Sequence, residues 1–208
     1  MKTNDINRLS ELGVATIYEA SGREGLIDIP LIQIIPNSRV AGFARTALCG
    51  QDDNLMVHAV IEQIQPGEVL VLSMPEPAPV ALIGELLATQ VKVKKAAGIL
   101  VDASARDVNE LVELGLPIWS RFIRVKGATK TKVGELNVPV TVGGTQIATG
   151  DVVVMDVDGA VCVKRERVDD VLKASEERLV KEASLRKKLL AGEISYDLHG
   201  LREYIERR

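Results

Sequence analysis

The stretch that most constrains the fold covers residues 84–110 and reads GELLATQVKVKKAAGILVDASARDVNE. Its first part has helical spacing, and residues 98–101 form a short apolar run that predicts a strand. The stretch then reaches Arg106 and Asp107 at the start of a second predicted helix. This order can bring a helix start, an arginine and several carboxylates to one place. The stretch is therefore the first candidate for a functional site.

Composition limits the class of protein. The 208 residues, 46% of them hydrophobic, suffice for one domain with a substantial core. Acidic residues outnumber basic ones by 29 to 26, which gives no reason to expect a nucleic-acid partner. Cys49 and Cys162 lie in apolar runs, as small buried side chains do. No run has the apolar length of a signal peptide or membrane span, so we expect a cytoplasmic protein without a membrane partner.

The hydrophobic pattern predicts helices at both ends of the chain and strands in the middle. Helices are predicted at residues 4–12, 14–21, 55–64 and 168–190, with a further apolar segment at 194–208. Strands are predicted at residues 39–49, 68–73, 98–101, 116–119, 138–142, 152–156 and 160–164. Hairpin-joined and helix-joined strands occur together, which predicts an α/β fold with mixed sheets and not a regular doubly wound array.

Two interpretations of Arg106, Asp107 and Glu110 stay open. Asp at a helix start with Glu three residues later resembles a capping box, and the helix dipole favours both acids there. Alternatively, Asp107 binds a hard cation, while Arg106 binds a carboxylate or a developing oxyanion. Magnesium uses only one or two protein carboxylates and keeps several waters, so it needs no histidine cluster. Zinc is poorly supported.

Other residues also allow a structural or a functional interpretation. Gly84 and Glu85 either let backbone pack closely or leave free helix amides for a carboxylate. Arg121 is either a salt-bridge partner or a second anion anchor. We expect His58 to pack against the core, and its distance in sequence from His199 argues against a catalytic triad. The chain has neither a dinucleotide-binding glycine fingerprint nor a P-loop.

Short motifs along nearly the whole chain carry a family resemblance. They are GVAT at 13–16, EA at 19–20, DNLMVH at 53–58, GELLA at 84–88, ARD at 105–107, PIWSR at 117–121, NVPV at 137–140 and DVDG at 156–159. Together they resemble the class II 4-hydroxy-4-methyl-2-oxoglutarate / 4-carboxy-4-hydroxy-2-oxoadipate aldolases. These aldolases share a fold with the regulator of ribonuclease activity A.

Further marks resemble the aldolase branch in particular. Glu85 precedes Arg106 by twenty intervening residues, and Glu110 lies three positions beyond Asp107. Glu85 stands where the family often has Asp. Glu193, in an Ala-Gly-Glu context, matches a family acid that enters the active site of a neighbouring subunit.

The resemblance implies retro-aldol cleavage of a small 2-oxo acid to pyruvate, with magnesium, manganese or another divalent cation as cofactor. Asp107 would hold the metal, and Arg106 would stabilise the enolate oxygen. The backbone amides of Gly84, Glu85, Leu86 and Leu87 would bind the pyruvyl carboxylate. Oxaloacetate decarboxylation is expected as a side activity.

The resemblance also gives roles to three acids and to the assembly. Glu85 and Glu110 would position water molecules for proton transfer, and Glu193 of a neighbouring subunit would assist. The family fold is a layered β/β/α swivelling-type domain that forms trimers or hexamers. We therefore expect one α/β/β catalytic domain at residues 1–166. Residues 167–208 would form a helical arm that packs on a neighbouring subunit.

Two alternatives share these motifs. One is a non-catalytic protein that regulates a ribonuclease by binding it, and the other is a 2-oxo-acid lyase or decarboxylase with a different substrate. The regulators lack the full acid set, so Glu85 and Glu110 favour an enzyme. Methyltransferase activity, a name sometimes attached to this superfamily, has no support from a nucleotide-binding motif.

Overall fold

The computed structural model describes residues 3–206. The helices are α1 Thr3–Leu12, α2 Val14–Ala20, α3 Leu55–Gln63, α4 Glu85–Val93, α5 Val108–Leu114, α6 Val168–Leu190, α7 Ser195–Leu198 and α8 Arg202–Glu206. The strands are β1 Ile32–Gln33, β2 Val40–Leu48, β3 Val69–Ser73, β4 Ala81–Ile83, β5 Gly98–Ala105, β6 Ile118–Ile123, β7 Glu135–Leu136, β8 Val140–Val142, β9 Thr145–Ile147, β10 Val152–Asp156 and β11 Gly159–Val163. Residues 1–2 and 207–208, at the ends of the predicted domain and arm, lie outside the described residues.

A mixed sheet forms the centre of the molecule. Within the described residues, nine strands belong to it, in the order β1-β6-β5-β3-β2-β10-β11, with β4 beside β5 and β7 beside β2. The middle strands β2, β3, β5 and β6 are parallel, whereas β10 runs antiparallel to both β2 and β11. Strands β8 and β9 form a separate hairpin. The mixed α/β fold with helices at both ends, predicted from the sequence, is confirmed.

The central strands are buried on both faces, which explains their continuous apolar sequences. Alternate residues of β3 point to opposite sides. Leu70 and Leu72 join a core that contains buried residues of α3, α4 and α5, whereas Val69 and Val71 join a second core with Trp119. A third cluster packs α1, α2 and α6 against β2, β10 and β11. The parallel strands are thus packed between cores on both faces. Their carboxyl ends lead into loops and helix starts, where polar residues can stand.

Some elements differ from the sequence predictions. Strand β5 continues to Ala105, beyond its predicted end at Val101, and its buried acid Asp102 has a partner in the fold. Arg121 Nη1 donates to Asp102 Oδ1 at 3.0 Å. The short strands β1, β4, β7 and β9 were not predicted, because two or three residues give no hydrophobic period. Within residues 3–206, no helix combines the length and apolar character needed to cross a membrane.

Candidate functional site

The candidate site lies where the parallel strands β4 and β5 end side by side. After β4 the chain passes through Gly84 into α4, and after β5 it passes through Arg106 and Asp107 into α5. The backbone N–H of Arg106 donates to the carbonyl oxygen of Ile83 at 3.1 Å, which fixes the two connections together. Ligands in open α/β sheets bind beyond the carboxyl ends of strands. The structure therefore brings together the helix start, the arginine and the aspartate that the sequence singled out.

A cleft of about 260 Å³ opens at this point. One part of its lining comes from the ends of β4 and β5 and from α4, and another from α3 and the connection after β6. The lining residues are Asn54, His58, Ala81, Leu82, Ile83, Gly84, Leu86, Leu87, Gln90, Arg106, Asp107, Gly127, Ala128 and Lys130. Such a volume suits a small organic acid better than a nucleotide.

Gly84 leaves space for two charged side chains. Its backbone is extended, with φ −141° and ψ −171°, a conformation open to any residue. A Cβ atom there would lie 2.4 Å from Asp107 Oδ2 and 3.2 Å from both Cγ and Nε of Arg106. The absence of a side chain therefore allows the start of α4 and the two charged residues to meet.

Asp107 does not cap its own helix. It adopts the left-handed conformation, φ 62° and ψ 46°, and makes no side-chain hydrogen bond to the N-terminus of α5. Its Oδ2 instead accepts a hydrogen bond from the backbone N–H of Glu85 at 3.1 Å. The capping-box interpretation of this aspartate is wrong. Left-handed backbone costs a non-glycine residue about 1 kcal/mol. Strain of this kind often occurs at functional sites.

Arg106 presents a half-exposed guanidinium to the cleft. Its side chain is 46% exposed, and its Nε lies 3.6 Å from Asp107 Oδ2. A Cβ at Gly127 would lie 3.2 Å from Arg106 Nη1, so this second glycine leaves room for the guanidinium. The planar guanidinium retains donors that can bind a carboxylate or an oxyanion.

The N-terminus of α4 offers further donors. Gly84 supplies no side-chain cap, and the backbone N–H of Glu85 is bonded to Asp107. The N–H groups of Leu86 and Leu87 lie in the first helical turn, where no intrahelical acceptor exists. Both leucines line the cleft. A helix N-terminus with free amides favours an anion.

The three predicted acids do not line the cleft within one chain. Glu85 Oε1 accepts a hydrogen bond from Thr89 Oγ1 at 2.9 Å, along its own helix. Glu110 is exposed in the first turn of α5. Glu193 is exposed beyond the end of α6, a helix that packs on α1 and α2. Seven residues at the starts of α4 and α5 were predicted to act through their side chains or amides. The structure gathers Gly84, Leu86, Leu87, Arg106 and Asp107 around the cleft, but not Glu85 or Glu110.

Sequence reasoning missed several cleft residues, of which His58 is the most instructive. It was expected to pack against the core, but it is exposed and lines the cleft. The buried side chains of α3 are Met56, Val57, Val60 and Ile61, so His58 falls on the other face. Asn54, four positions earlier, also lines the cleft, and this i, i+4 spacing was the available signal. Gln90 and Lys130 carried no signal of their own.

The choice left open for Arg121 is resolved by its partner. Arg121 binds the buried carboxylate of Asp102 and does not line the cleft. Burial raises the pKa of Asp102, and the ion pair with Arg121 opposes that rise. Arg121 is therefore a structural residue of β6.

The cleft can accommodate one class of metal. Among residues 3–206, no group of three or more His, Cys, Asp and Glu side chains could hold an ion. Asp107 is the carboxylate that lines the cleft, and within the described residues its Oδ1 receives no hydrogen bond. One free carboxylate oxygen beside open space fits magnesium or manganese, which keep most of their water. It does not fit zinc, which takes three or four protein ligands.

Comparisons with known proteins show the family. A family model described as "RraA-like: Aldolase/RraA" matches residues 14–162. A protein of Halalkalibacterium halodurans, named provisionally as a 4-hydroxy-4-methyl-2-oxoglutarate aldolase, is 31% identical over 172 residues. These are 82% of this chain and 79% of that protein. The resemblance predicted from the motifs is thus confirmed.

Two solved structures are similar over most of the chain. Streptomyces coelicolor RraAS2, described as an unusual member of the RNase ES inhibitor RraA protein family, is 29% identical with a TM-score of 0.76. The match covers 89% of this chain and 97% of that one. The RNA-processing inhibitor RraA from Thermus thermophilis is 28% identical with a TM-score of 0.60, over 67% and 82% of the two chains.

Proposed function

The chain belongs to the RraA-like family, and we propose that it is a divalent-metal-dependent aldolase. Its substrate would be a 4-hydroxy-2-oxo acid such as 4-hydroxy-4-methyl-2-oxoglutarate, cleaved to pyruvate. The observation that carries this proposal is the meeting of Arg106, the Asp107 carboxylate and the free amides of α4 around a side-chain-free Gly84. The aldolase name of a 31% identical relative supports it.

The chain's own groups account for binding. The N–H groups of Leu86 and Leu87 would bind the substrate carboxylate at the positive end of α4. Arg106 would donate to the neighbouring keto oxygen, which becomes negatively charged as the C3–C4 bond breaks. Asp107 would hold magnesium or manganese, and a bound metal ion supplies a Lewis acid that polarises the 2-oxo acid.

Proton transfer completes the reaction. The C4 hydroxyl loses its proton as the C3–C4 bond breaks, and the resulting pyruvate enolate gains a proton at C3. A positioned water is the proposed carrier, with Glu85, Glu110 and Glu193 as candidates to orient it. Because these acids do not line the cleft of one chain, we propose that the site is completed in a trimer or hexamer. The arm at residues 167–208 would then bring Glu193 to a neighbouring subunit.

Oxaloacetate decarboxylation requires the same pyruvate enolate, so we propose it as a side activity. The C3–C4 bond then breaks with loss of carbon dioxide in place of a carbonyl product. The same groups would bind the 2-oxo acid end of either substrate. A different natural 2-oxo acid is compatible with this arrangement.

A second candidate is a non-catalytic regulator that binds a ribonuclease. The observation that favours it is the similarity to structures described as RNase ES and RNA-processing inhibitors. The exposed side chains of Leu86, at 77%, and Val125, at 88%, also leave apolar surface for a protein contact. Capture of an endoribonuclease in a pull-down, together with no activity in the aldolase assay, would favour the regulator over the aldolase.

The deciding experiment measures pyruvate release with magnesium, with chelator, and for Asp107→Ala. We expect chelator and the substitution each to abolish turnover. Asp169→Ala is the matched control, because Asp169 is also an exposed acid at a helix start but lies outside the cleft. Turnover that survives both chelator and Asp107→Ala would refute the metal mechanism. Titration of manganese into the same variants would show independently whether Asp107 binds the ion.

A further inference from the structure

Part of the cleft wall is made of two segments far apart in sequence. Asn54 and His58 belong to the start of α3, whereas Lys130 belongs to the connection between β6 and β7. Each segment is tied to strand β4, because Asn54 Nδ2 donates to the carbonyl oxygen of Leu82 at 3.3 Å and the N–H of Ala81 donates to the carbonyl oxygen of Lys126 at 2.8 Å. The Asp53 side chain joins the two segments directly to each other.

Asp53 is fully buried and its carboxylate accepts four hydrogen bonds. Oδ1 accepts from the backbone N–H of Leu55 at 2.8 Å, at the first residue of α3. Oδ2 accepts from Thr129 Oγ1 at 2.6 Å, from the N–H of Thr131 at 2.6 Å and from the N–H of Lys132 at 3.0 Å. One carboxylate therefore holds the helix start with one oxygen and the connection with the other.

Backbone contacts also join the start of α3 to the connection after β6. Asp53 and Thr129 form an isolated parallel bridge. The N–H of Asn54 donates to the carbonyl oxygen of Thr129 at 2.9 Å, and the N–H of Thr129 donates to that of Asp52 at 3.0 Å. These bonds hold Thr129 in place. Its two neighbours in sequence, Ala128 and Lys130, line the cleft.

The bonding pattern requires an ionised carboxylate. Each oxygen faces only donors, and an amide group would place an N–H₂ against a backbone N–H in either orientation. Burial alone disfavours the charge, but the four hydrogen bonds outweigh burial and hold the pKa of Asp53 below its ordinary value. The Asp53 carboxylate, which clamps the two segments together, therefore remains charged at any physiological pH.

We propose that Asp53 is a positioning residue of the candidate site. It holds the start of α3 against the 127–132 connection, and so contributes to the shape of the wall that faces the part of the substrate beyond C3. The effect on substrate binding rests on the proposed function. The hydrogen bonds by which Asp53 joins the two segments do not. Asp53 itself does not line the cleft, so it acts through Asn54, His58 and Lys130.

The test compares Asp53→Asn with Asp151→Asn. Asp151 is a matched control because it is also a buried carboxylate that accepts from backbone N–H groups, of Ala148 and Arg165, and from Lys164 Nζ. None of these partners lines the cleft. Thr129→Val is a milder variant, because it removes one hydroxyl and leaves the charge of Asp53 intact.

Hydrogen exchange of the full-length proteins is the first measurement. We expect exchange in residues 54–58 or 129–132 to become about 10- to 100-fold faster in Asp53→Asn, the factor that loss of a hydrogen bond to a charged group gives. Thr129→Val should accelerate residues 129–132 by a smaller factor. Asp151→Asn should leave both segments unchanged. Wild-type exchange in both segments of Asp53→Asn would overturn the proposal.

Kinetics is the second measurement and separates positioning from general destabilisation. Asp53→Asn should raise KM for 4-hydroxy-4-methyl-2-oxoglutarate about tenfold, since one misplaced wall weakens binding of the part beyond C3. Inhibition by pyruvate should change less than threefold, because pyruvate lacks the part of the substrate beyond C3. An equal rise in KM in Asp151→Asn would overturn the proposal. A wild-type protein without turnover would refute the proposed function, and the exchange comparison alone would then decide the clamp.

Discussion

Gly84→Ala is the sharpest test of the site geometry. The extended backbone at Gly84 accepts alanine without conformational strain, so any effect must come from the new methyl group. That methyl would lie 2.4 Å from Asp107 Oδ2, whereas ordinary contact begins at 3.4 Å. The carboxylate must retreat by about 1 Å, a displacement that can cost an active site about 100-fold in rate.

The expected loss of stability is much smaller. The retreat breaks the hydrogen bond from the Glu85 N–H to Asp107, which is exposed to solvent. Its loss should cost about 1 kcal/mol in the free energy of unfolding. For a chain of this size that lowers Tm by about 3 °C. Pyruvate release should therefore fall about 100-fold in a protein that is still folded at assay temperature.

The control is a double-mutant cycle on stability. Asp107→Gly removes the carboxylate and suits the left-handed backbone at that position. In this background Gly84→Ala should be neutral or slightly stabilising, because only the movable Arg106 side chain stays close and alanine reduces the entropy of the unfolded chain. Turnover of Gly84→Ala within threefold of wild type would refute the reasoning. So would an unchanged cost of Gly84→Ala in the double variant.

Three further predictions concern other parts of the chain. Arg106→Lys keeps the charge but loses the planar donors, so pyruvate release should fall about 100-fold with Tm nearly unchanged; a fall below fivefold would contradict the role of Arg106. The pKa of Asp53 is lowered in the fold, so its contribution to stability is present above pH of about 4 and is lost as the pH falls further. The difference in unfolding free energy between wild type and Asp53→Asn should accordingly be largest at neutral pH and shrink on acidification, and urea titrations that show a constant difference would exclude this. Removal of residues 191–208 should leave a folded chain with reduced turnover and a smaller particle by light scattering, and unchanged turnover would exclude a role for Glu193.

The family and the position of the candidate cleft were predictable from local sequence. A hairpin joins β10 and β11 through the Asp156 to Gly159 turn, because two short apolar runs around Asp-Gly favour a hairpin. The long helix was predicted at its observed bounds, Val168–Leu190. Arg106 and Asp107 were found because a strand followed by a helix start places them at a sheet edge.

Roles that depend on partners far along the chain were not predictable in this way. Asp107 was open to interpretation as a cap, and only the fold shows that its donor is an N–H 22 positions away. His58 was assigned to the core because its helix is apolar, although the face that α3 buries is set by the sheet beneath it. The acids Glu85, Glu110 and Glu193 stay predictions, since their proposed site involves more than one chain.

The sequence by itself determined the mixed α/β class, the terminal helices and the family, because hydrophobic period, turn residues and motifs are local properties of the chain. Only the tertiary structure decided that Gly84 lies against the Asp107 carboxylate and that Asp53 joins two segments. The contact at Gly84 spans two strand ends, and the bonds of Asp53 reach residues 76 to 79 positions away. Such contacts depend on how the sheet brings distant segments together, and no local pattern of residues encodes them.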